Sequence, residues 1–414
     1  MCIGDELLIG QTINTNAAWI GETLFEHGIK VKESVCISDT KEAIISALSN
    51  IDKSIKLVLI TGGLGPTIDD ITKRVLCEYF ETELVRNETV LKQIEAFFAQ
   101  RNRHMLESNR RQADLPKSAT ILENKIGTAS GMWFEKNGVI YVSMPGVPAE
   151  MKMLVKEHVI PRLLKRGALP SQVYKTVLTQ GIGESFLVEK IEAWQNQLLK
   201  EGFKLAYLPS AGQVRIRIGA EGGSRSQLTK AIDHKIKDLK ALIPSYIFGY
   251  DKQTMQEIVG DLLVQLNATI GTAESCTGGY LAHLITSTPG ASRYYLGSVV
   301  SYDNAIKTSM LGVPAKVLQE HGAVSEPVVL QMANAVKKQM GVDYAISFSG
   351  VAGPDGGTST KPVGMIWLAI ATPAQTFAKK LQLGTNRKKN IAMASLTALN
   401  LLRVELIKAL NLQA

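Results

Sequence analysis

The sequence contains few cysteines, and none are spaced like a disulfide framework or a zinc site. Cys2, Cys36, Cys77 and Cys276 are scattered over 414 residues, a distribution typical of proteins in a reducing compartment. The chain also lacks an uncharged apolar run of about 18 residues, and its N-terminus has no basic region followed by a hydrophobic one, so nothing indicates membrane insertion or secretion. We therefore expect a cytoplasmic location and no membrane partner.

Charge of one sign is not strongly in excess either. The net charge of +8 is spread thinly, and Arg387-Lys-Lys389 is the only compact basic cluster late in the chain. A solvated turn explains this cluster better than a phosphate contact does. Mild basicity suits anionic nucleotide substrates as well as DNA, so we do not expect a nucleic-acid partner.

The length allows two or three domains, and a hydrophobic content of 45% supports packed cores. Helices and strands alternate over residues 1–167 and 251–414, which predicts α/β domains with parallel sheets covered by helices. Residues 168–250 read as βαββαβ, which predicts a small ferredoxin-like middle domain.

Several elements can be placed within the first domain. We predict strands at 31–35 and 57–60, one helix over 88–111 with Phe97 and Phe98 buried, and a hairpin that turns at Lys136-Asn-Gly138. The N-terminus reaches a polar turn after three residues, so we expect a weakened first strand.

The stretch 268–279 carries the clearest chemical signal. A short β-prone run breaks into small residues just before a helical pattern, so Ser275 and Cys276 lie where unpaired backbone amides meet a ligand. Either could be a nucleophile, but His283 and His321 are poorly placed as bases. Tyr302 or a desolvated Lys307 is a better candidate.

Three segments of this region closely resemble the C-terminal domain of the CinA (competence/damage-inducible) family: Glu274-Ser-Cys-Thr-Gly-Gly279, Val300-Ser-Tyr-Asp-Asn304 with Lys307, and Ser349-Gly-Val-Ala-Gly-Pro-Asp-Gly-Gly357. The resemblance implies a cofactor-free deamidase of nicotinamide mononucleotide whose catalytic group is Ser275, Tyr302 and Lys307. It places the substrate contacts at Glu274, Cys276, Thr277, Gly278, Gly279, Asn304, Gly350, Gly353, Gly356, Gly357 and Arg387. We expect backbone amides at 276–279 to stabilise the oxyanion.

A second glycine-rich turn, at 61–70, follows an apolar strand. Its glycines can expose amides to phosphate, and Asp69 or Asp70 can reach a metal ion. A tight turn followed by an acidic helix start is the alternative.

Gly4-Asp-Glu-Leu7, Gly62-Gly-Leu-Gly65 with Asp70, and Met144-Pro-Gly-Val-Pro-Ala-Glu150 together resemble the molybdopterin-binding-like domain of the same family. The resemblance implies a metal-dependent ADP-ribose pyrophosphatase, with a divalent ion at Asp69 and Asp70, and a homodimer. Asp39 matches a carboxylate position of the related enzymes, whereas Ser130 stands where relatives have proline. The implied nucleotide contacts are Gly4, Asp5, Glu6, Asn16, Asp39, Gly62, Gly63, Gly65, Pro145, Gly146 and Glu150.

Two other interpretations stay open at this point. The chain could be a non-enzymatic nucleotide sensor or DNA-uptake accessory protein, which would bind DNA with steep salt dependence and release no ammonia. Alternatively, the short first strand could abolish the N-terminal activity while the C-terminal activity persists.

Overall fold

A computed structural model describes residues 1–67, 69–167, 172–210 and 212–413. The chain forms two compact units, one of Met1–Val173 with Glu221–Arg225 and one of Tyr174–Ala220 with Ser226–Ala414. The domain boundary expected between residues 167 and 168 falls at 168–171, outside the described residues.

The first domain is a mixed sheet between helices. Its strands are β1 (Cys2–Ile3), β2 (Cys36–Ile37), β3 (Leu57–Thr61), β4 (Leu84–Arg86), β5 (Asp114–Pro116), β6 (Thr120–Leu122), β7 (Gly131–Lys136) and β8 (Val139–Met144). Its helices are α1 (Asp5–Leu8), α2 (Thr15–Glu26), α3 (Lys41–Ser49), α4 (Thr72–Tyr79), α5 (Glu88–Ala99), α6 (Glu107–Arg110), α7 (Pro148–Leu154) and α8 (Ile160–Lys165). The sheet order is β2-β1-β3-β8-β7-β6, and β4 pairs with β5 separately.

Two buried clusters, on opposite faces of this sheet, hold the layers together. One contains Ile44 and Leu76 from α3 and α4, and the other contains Leu24 and Met151 from α2 and α7. A sheet needs apolar cover on both faces when its central strands are parallel, and β1, β3 and β8 pair in parallel. The predicted parallel core between helices is therefore confirmed.

The element bounds differ from the sequence predictions in two places. The strand predicted at 31–35 is wrong, because the second strand pairs only at Cys36 and Ile37, opposite the two-residue β1. The helix predicted over 88–111 is also wrong. It ends at Ala99, and Asn102 adopts a left-handed backbone (φ 49°) that breaks the helix before α6.

Other predictions in this domain are confirmed or corrected by local geometry. β1 has two residues, which agrees with the weakened first strand that we expect from the sequence. Phe97 and Phe98 are half-buried, not buried. The hairpin of β7 and β8 turns through Asn137 and Gly138, both with positive φ, as a two-residue turn requires.

The middle domain has the predicted βαββαβ order. Its elements are β9 (Gln172–Gln180), α9 (Glu184–Lys190), α10 (Glu192–Lys200), β10 (Lys204–Ser210), β11 (Gln213–Glu221), α11 (Arg225–Leu242) and β12 (Ile247–Tyr250). The sheet order β10-β11-β9-β12 places the first and third strands at the centre, which is the ferredoxin-like arrangement.

The C-terminal domain is a five-stranded sheet with helices on both faces. Its strands are β13 (Ile270–Glu274), β14 (Tyr295–Val300), β15 (Tyr344–Gly350), β16 (Met365–Ala371) and β17 (Thr376–Gln382). Its helices are α12 (Met255–Gln265), α13 (Tyr280–Thr286), α14 (Asn304–Leu311), α15 (Ala315–His321), α16 (Glu326–Met340) and α17 (Arg387–Gln413). In the order β14-β13-β15-β16-β17 the first three strands are parallel, so the ends of β13 and β14 open on one edge.

Helix α17 is the one described helix that is long and apolar enough to cross a membrane. Its buried residues Ala394, Ala398, Leu402 and Leu406 belong to the main C-terminal core. The helix therefore packs as a core helix of this domain.

Candidate functional site

Ser275 follows β13 directly, and the side chain before it fixes the loop that carries it. The Glu274 carboxylate is fully buried and accepts hydrogen bonds from the amides of Gly279, Leu281 and Ala282, at 3.1, 3.1 and 2.8 Å. A carboxylate is favourable at a helix N-terminus because it pairs the orphan N–H groups there. The expected substrate contact of Glu274 is therefore corrected: its side chain holds the loop onto α13.

Lys307 reaches Ser275 from α14. Its ammonium is 1% exposed and lies 3.1 Å from the Ser275 hydroxyl oxygen, 2.8 Å from the Ser301 carbonyl and 3.2 Å from the Tyr302 carbonyl. Burial lowers the pKa of Lys307 below its ordinary value, and the nearby Asp303 only partly opposes this. When the amine is neutral, it can donate to the two carbonyls and accept the Ser275 proton.

Tyr302 does not form the expected pair with Lys307 through its phenol. Its side chain is 61% exposed, and its hydroxyl accepts a hydrogen bond of 3.0 Å from Arg387. Within the described residues, no hydrogen bond joins this phenol to Ser275 or Lys307. The prediction that the phenol shares the base role is thus corrected, because only the Tyr302 carbonyl contacts the amine.

Fewer backbone amides are available as oxyanion donors than the sequence predicts. The Gly278 amide donates to the Ser275 carbonyl at 3.0 Å, and the Gly279 amide donates to Glu274. Both glycines have positive φ, which folds the loop tightly. In the described part of the chain, the amides of Cys276 and Thr277 have no such partner, so these two remain to bind an oxyanion.

Cys276, the alternative nucleophile, is poorly suited to attack. Its thiol is 6% exposed within the main core, and burial raises its pKa to about 12. Since the thiolate is the reactive form, Cys276 stays protonated at neutral pH. Thr277 and Ser275 are both buried, but the Thr277 hydroxyl has no hydrogen-bond partner in the described residues, whereas the Ser275 hydroxyl contacts the Lys307 amine.

The glycine-rich loop after β15 is held against α17. Arg387 donates to the Gly353 carbonyl at 3.0 Å, and the buried amide of Asn390 donates to the carbonyls of Ala352 and Gly384 at 2.9 and 2.7 Å. Sequence reasoning missed Asn390, although its place one helical turn after Arg387 was a usable signal.

The other expected substrate contacts of this domain fall into two groups. A Cβ on Gly350, Gly353 or Gly357 would approach neighbouring atoms within 2.8 Å, so these glycines allow close packing of the loop. Gly356 and Asn304 face open space or solvent. Of the five residues in these two groups, Gly356 and Asn304 are the two that are accessible to a ligand.

A second site occupies the first domain as a cavity of about 430 Å³. Asp5 and Asn16 do not line it, and Asn16 instead donates to the Gly146 carbonyl at 2.7 Å. The cavity walls bring together residues from four loops: Gly4, Glu6, Asp39, Gly62, Gly63, Gly65, Asp69, Asp70, Pro145, Gly146 and Glu150.

Negative charge is concentrated in this cavity. Burial, reinforced by repulsion from Asp5, Asp69 and Glu6, raises the pKa of Asp39. The described residues contain no group of three or more His, Cys, Asp or Glu side chains placed to hold a metal ion. Asp70 is also engaged by the Thr67 amide and hydroxyl. An ion that is bound by one or two carboxylates together with substrate phosphates, as Mg²⁺ commonly is, does not need such a group.

Asn124 organises the loop that contains Ser130. Its side chain donates to the Ala129 carbonyl at 2.8 Å and to Glu150 at 2.6 Å, and it accepts from the Gly127 amide at 3.0 Å. Burial raises the pKa of Glu150. Sequence reasoning missed Asn124, because two of these contacts are to the backbone and the third is to the distant Glu150 carboxylate.

Three family profiles match the chain. They are described as "Probable molybdopterin binding domain" over residues 1–165, "Damage-inducible protein CinA KH domain" over 174–249 and "CinA C-terminal domain" over 252–406. These ranges agree with the three domains described above.

Full-length relatives and a solved structure are also similar. A CinA-like protein of Cytophaga hutchinsonii is 47% identical over 98% of this chain and 96% of its own, and one of Flavobacterium psychrophilum is 42% identical over 98% and 97%. The crystal structure of a competence-damaged protein (CinA) superfamily protein from Klebsiella pneumoniae is 31% identical, covers 38% of this chain and 99% of its own, and has a TM-score of 0.36.

Proposed function

The chain belongs to the CinA-like protein family, and on this premise we propose that its C-terminal domain hydrolyses the carboxamide of nicotinamide mononucleotide to nicotinate mononucleotide and ammonia. The observation that carries the proposal is the 3.1 Å contact between the Ser275 hydroxyl and the buried Lys307 amine. A buried lysine whose pKa is lowered is a suitable base for a serine nucleophile.

The proposed reaction begins with attack of the Ser275 oxygen on the carboxamide carbon while neutral Lys307 takes the hydroxyl proton. The amides of Cys276 and Thr277 stabilise the oxyanion, an effect worth about 3 kcal/mol per donor elsewhere. Lys307 then returns the proton to the departing nitrogen, ammonia leaves, and an acyl ester remains on Ser275. Water attacks this ester while Lys307 takes a proton from it, the bond between the acyl carbon and the Ser275 oxygen breaks, and Lys307 returns the proton to that oxygen as the carboxylate product leaves.

Arg387 and Tyr302 are suited to the phosphate end of such a substrate. Their side chains meet at 3.0 Å at the exposed mouth of the site. A guanidinium recognises phosphate oxygens through paired N–H groups, and a phenol adds a further donor. This pair would hold the mononucleotide, while the buried part of the site performs the chemistry.

The direct test is incubation of the purified chain with nicotinamide mononucleotide, followed by chromatography of the product and an ammonia assay. We expect nicotinate mononucleotide and ammonia in equal amounts. A nucleotide sensor or DNA-uptake accessory protein would instead release no ammonia and bind DNA with an affinity that falls steeply as salt rises. That result would refute the enzymatic assignment.

A second activity is favoured by the carboxylate-lined cavity of the first domain. We propose that it cleaves the pyrophosphate of ADP-ribose with a divalent metal ion. Asp39, with Asp69 or Asp70, would hold the ion, whose positive charge would neutralise phosphate oxygens. Gly63 would present its backbone amide to the phosphates, whereas the Gly62 amide already donates to the Met144 carbonyl at 3.1 Å. Release of AMP from ADP-ribose with Mg²⁺, and its loss with EDTA, is the test.

The proposal also covers the cellular location and the oligomeric state of the protein. All four cysteines are free, which fits the reducing cytoplasm that we propose. We also propose a homodimer, which light scattering would report as twice the 45.0 kDa mass of one chain. A mass of 45.0 kDa across micromolar concentrations would contradict it.

A further inference from the structure

A third cavity, of about 420 Å³, lies between the middle and C-terminal domains inside the second compact unit. None of its lining residues belongs to the Ser275 site or to the carboxylate cavity. The walls come from the loop after β9, the adjoining ends of β10 and β11, β17 and α17. This volume falls in the range of cavities that bind small ligands.

Gln180, at the end of β9, is the unusual residue of this cavity. It is 4% exposed, and its side-chain oxygen is buried without a hydrogen-bond partner in the described part of the structure. Buried polar side chains nearly always have partners, so an orphan amide oxygen in a cavity wall indicates a partner that the chain itself does not supply. A water molecule or a ligand in the adjoining cavity would supply that partner.

The remaining lining defines the chemistry of that ligand. The amide of a glutamine places a donor beside an acceptor, which matches the N6 and N7 edge of adenine. Ile182, Met393 and Leu401 offer apolar surface for a flat base, and Lys379 is the one cation among the described residues that line the cavity. We propose that this cavity binds an adenine mononucleotide, with Gln180 reading the base and Lys379 contacting the phosphate.

A single-stranded nucleic acid is the competing occupant, since the middle domain matches a KH profile. Channels for single strands are grooves lined with several basic residues and stacking aromatics. Here Lys379 is balanced by Glu184, and no aromatic side chain lines the described walls. A carboxylate suits ribose hydroxyls and repels a phosphate backbone, so a mononucleotide is the better fit.

The cavity shares helix α17 with the deamidase site. Met393 and Thr397 line the cavity, while Arg387 and Asn390, nearer the start of the same helix, hold the loop at 350–357. An adenine nucleotide here would therefore contact the element that positions the loop of the C-terminal site, without entering that site.

Photolabelling of the full-length protein with 8-azido-AMP, followed by peptide mapping, tests the proposal at the site itself. We expect saturable labelling of peptides containing residues 180–184 or 393–401, displaced by AMP. Gln180→Leu should reduce this labelling at least about tenfold, the effect of one lost base contact. Lys379→Ala should also weaken it, whereas Lys380→Ala, its exposed neighbour on β17, should not.

The readout does not depend on either enzymatic activity, because it measures where the probe binds. Thermal unfolding shows whether the Gln180→Leu variant is folded. If it is not, the comparison of Lys379→Ala with Lys380→Ala tests the proposal, because Lys379 is exposed. The proposal is overturned by absence of label from both peptide groups, or by equal labelling of the Lys379→Ala and Lys380→Ala variants. It is also overturned if oligo(dA) displaces the probe and AMP does not.

Discussion

Among single residues, Lys307 combines two properties that rarely occur together. It is almost fully buried, and among the described residues it contacts a serine hydroxyl and two carbonyls but no carboxylate. A buried lysine without a carboxylate partner is unstable in its charged form, so the proton leaves more readily. This environment supports the base role that we propose for Lys307.

Replacing Lys307 separates its chemical role from its packing. Lys307→Met keeps the volume and should lower the ammonia-release rate by about 10²- to 10⁴-fold, the usual contribution of a general base. Urea unfolding should show little loss of stability, because a buried charge is removed. Lys307→Arg is the matched control, since it keeps the charge but cannot lose the proton. Activity in the arginine variant would contradict the base role.

The pH dependence of kcat/KM identifies the group that must lose its own proton before it can act as the base. A base must be neutral to act, so kcat/KM should rise with pH through the pKa of Lys307, which burial places below that of a free lysine. Tyr302→Phe should keep this rising limb and mainly raise KM, because its phenol contacts Arg387. Disappearance of the limb in Tyr302→Phe would reassign the base.

At the scale of elements, the decisive feature is the junction of β13 and α13. Glu274, the last residue of β13, lies in the interior, and its carboxylate accepts hydrogen bonds from the first amides of α13. The loop between them is thereby fixed with Ser275 facing Lys307. The nucleophile is held by the same contacts that begin the helix.

Glu274→Ala should therefore damage stability and activity together. Three amides at the helix start, one buried and two partly buried, would lose their acceptor, which costs about 2 to 3 kcal/mol in the free energy of unfolding. Glu274→Gln keeps one acceptor oxygen and should lose less. Glu320→Ala, on an exposed helix end, is the control and should change stability by less than about 0.5 kcal/mol. Wild-type stability of Glu274→Ala in urea unfolding would refute this account of the junction.

The sequence predicted elements well where periodicity and turn chemistry agree. Asn137-Gly138 marked its hairpin, and the small residues after β13 marked the loop of Ser275. The sequence did not predict the contacts between distant segments. The Asn390 bonds to Ala352 and Gly384, and the direction of the Tyr302 phenol, depend on how helices pack on the sheet. The spacing of Asn390 from Arg387 indicates only that the two share a helix face, and no local pattern identifies the partners of either side chain.

For the whole molecule, the two proposed activities use separate groups of residues. The carboxylate cavity is lined entirely by the first 150 residues, and Ser275 and Lys307 lie in the second compact unit. Chemistry at one site needs no side chain from the other. The two activities should therefore be separable by single substitutions.

We expect Ser275→Ala to abolish ammonia release and leave Mg²⁺-dependent ADP-ribose cleavage unchanged. Asp39→Asn should do the reverse, because it removes one of the carboxylates that would bind the ion. Parallel assays of the two variants on both substrates provide the measurement, and each variant controls for the folding of the other. Loss of both activities in either variant would show that the sites depend on each other.

The identity of the nucleophile is the most direct test of the whole account. Ammonia release from nicotinamide mononucleotide should be compared for Ser275→Ala and Cys276→Ala under identical conditions. The account predicts that Ser275→Ala is inactive and that Cys276→Ala keeps substantial activity, because the buried thiol stays protonated at neutral pH. An active Ser275→Ala enzyme beside an inactive Cys276→Ala enzyme would contradict it.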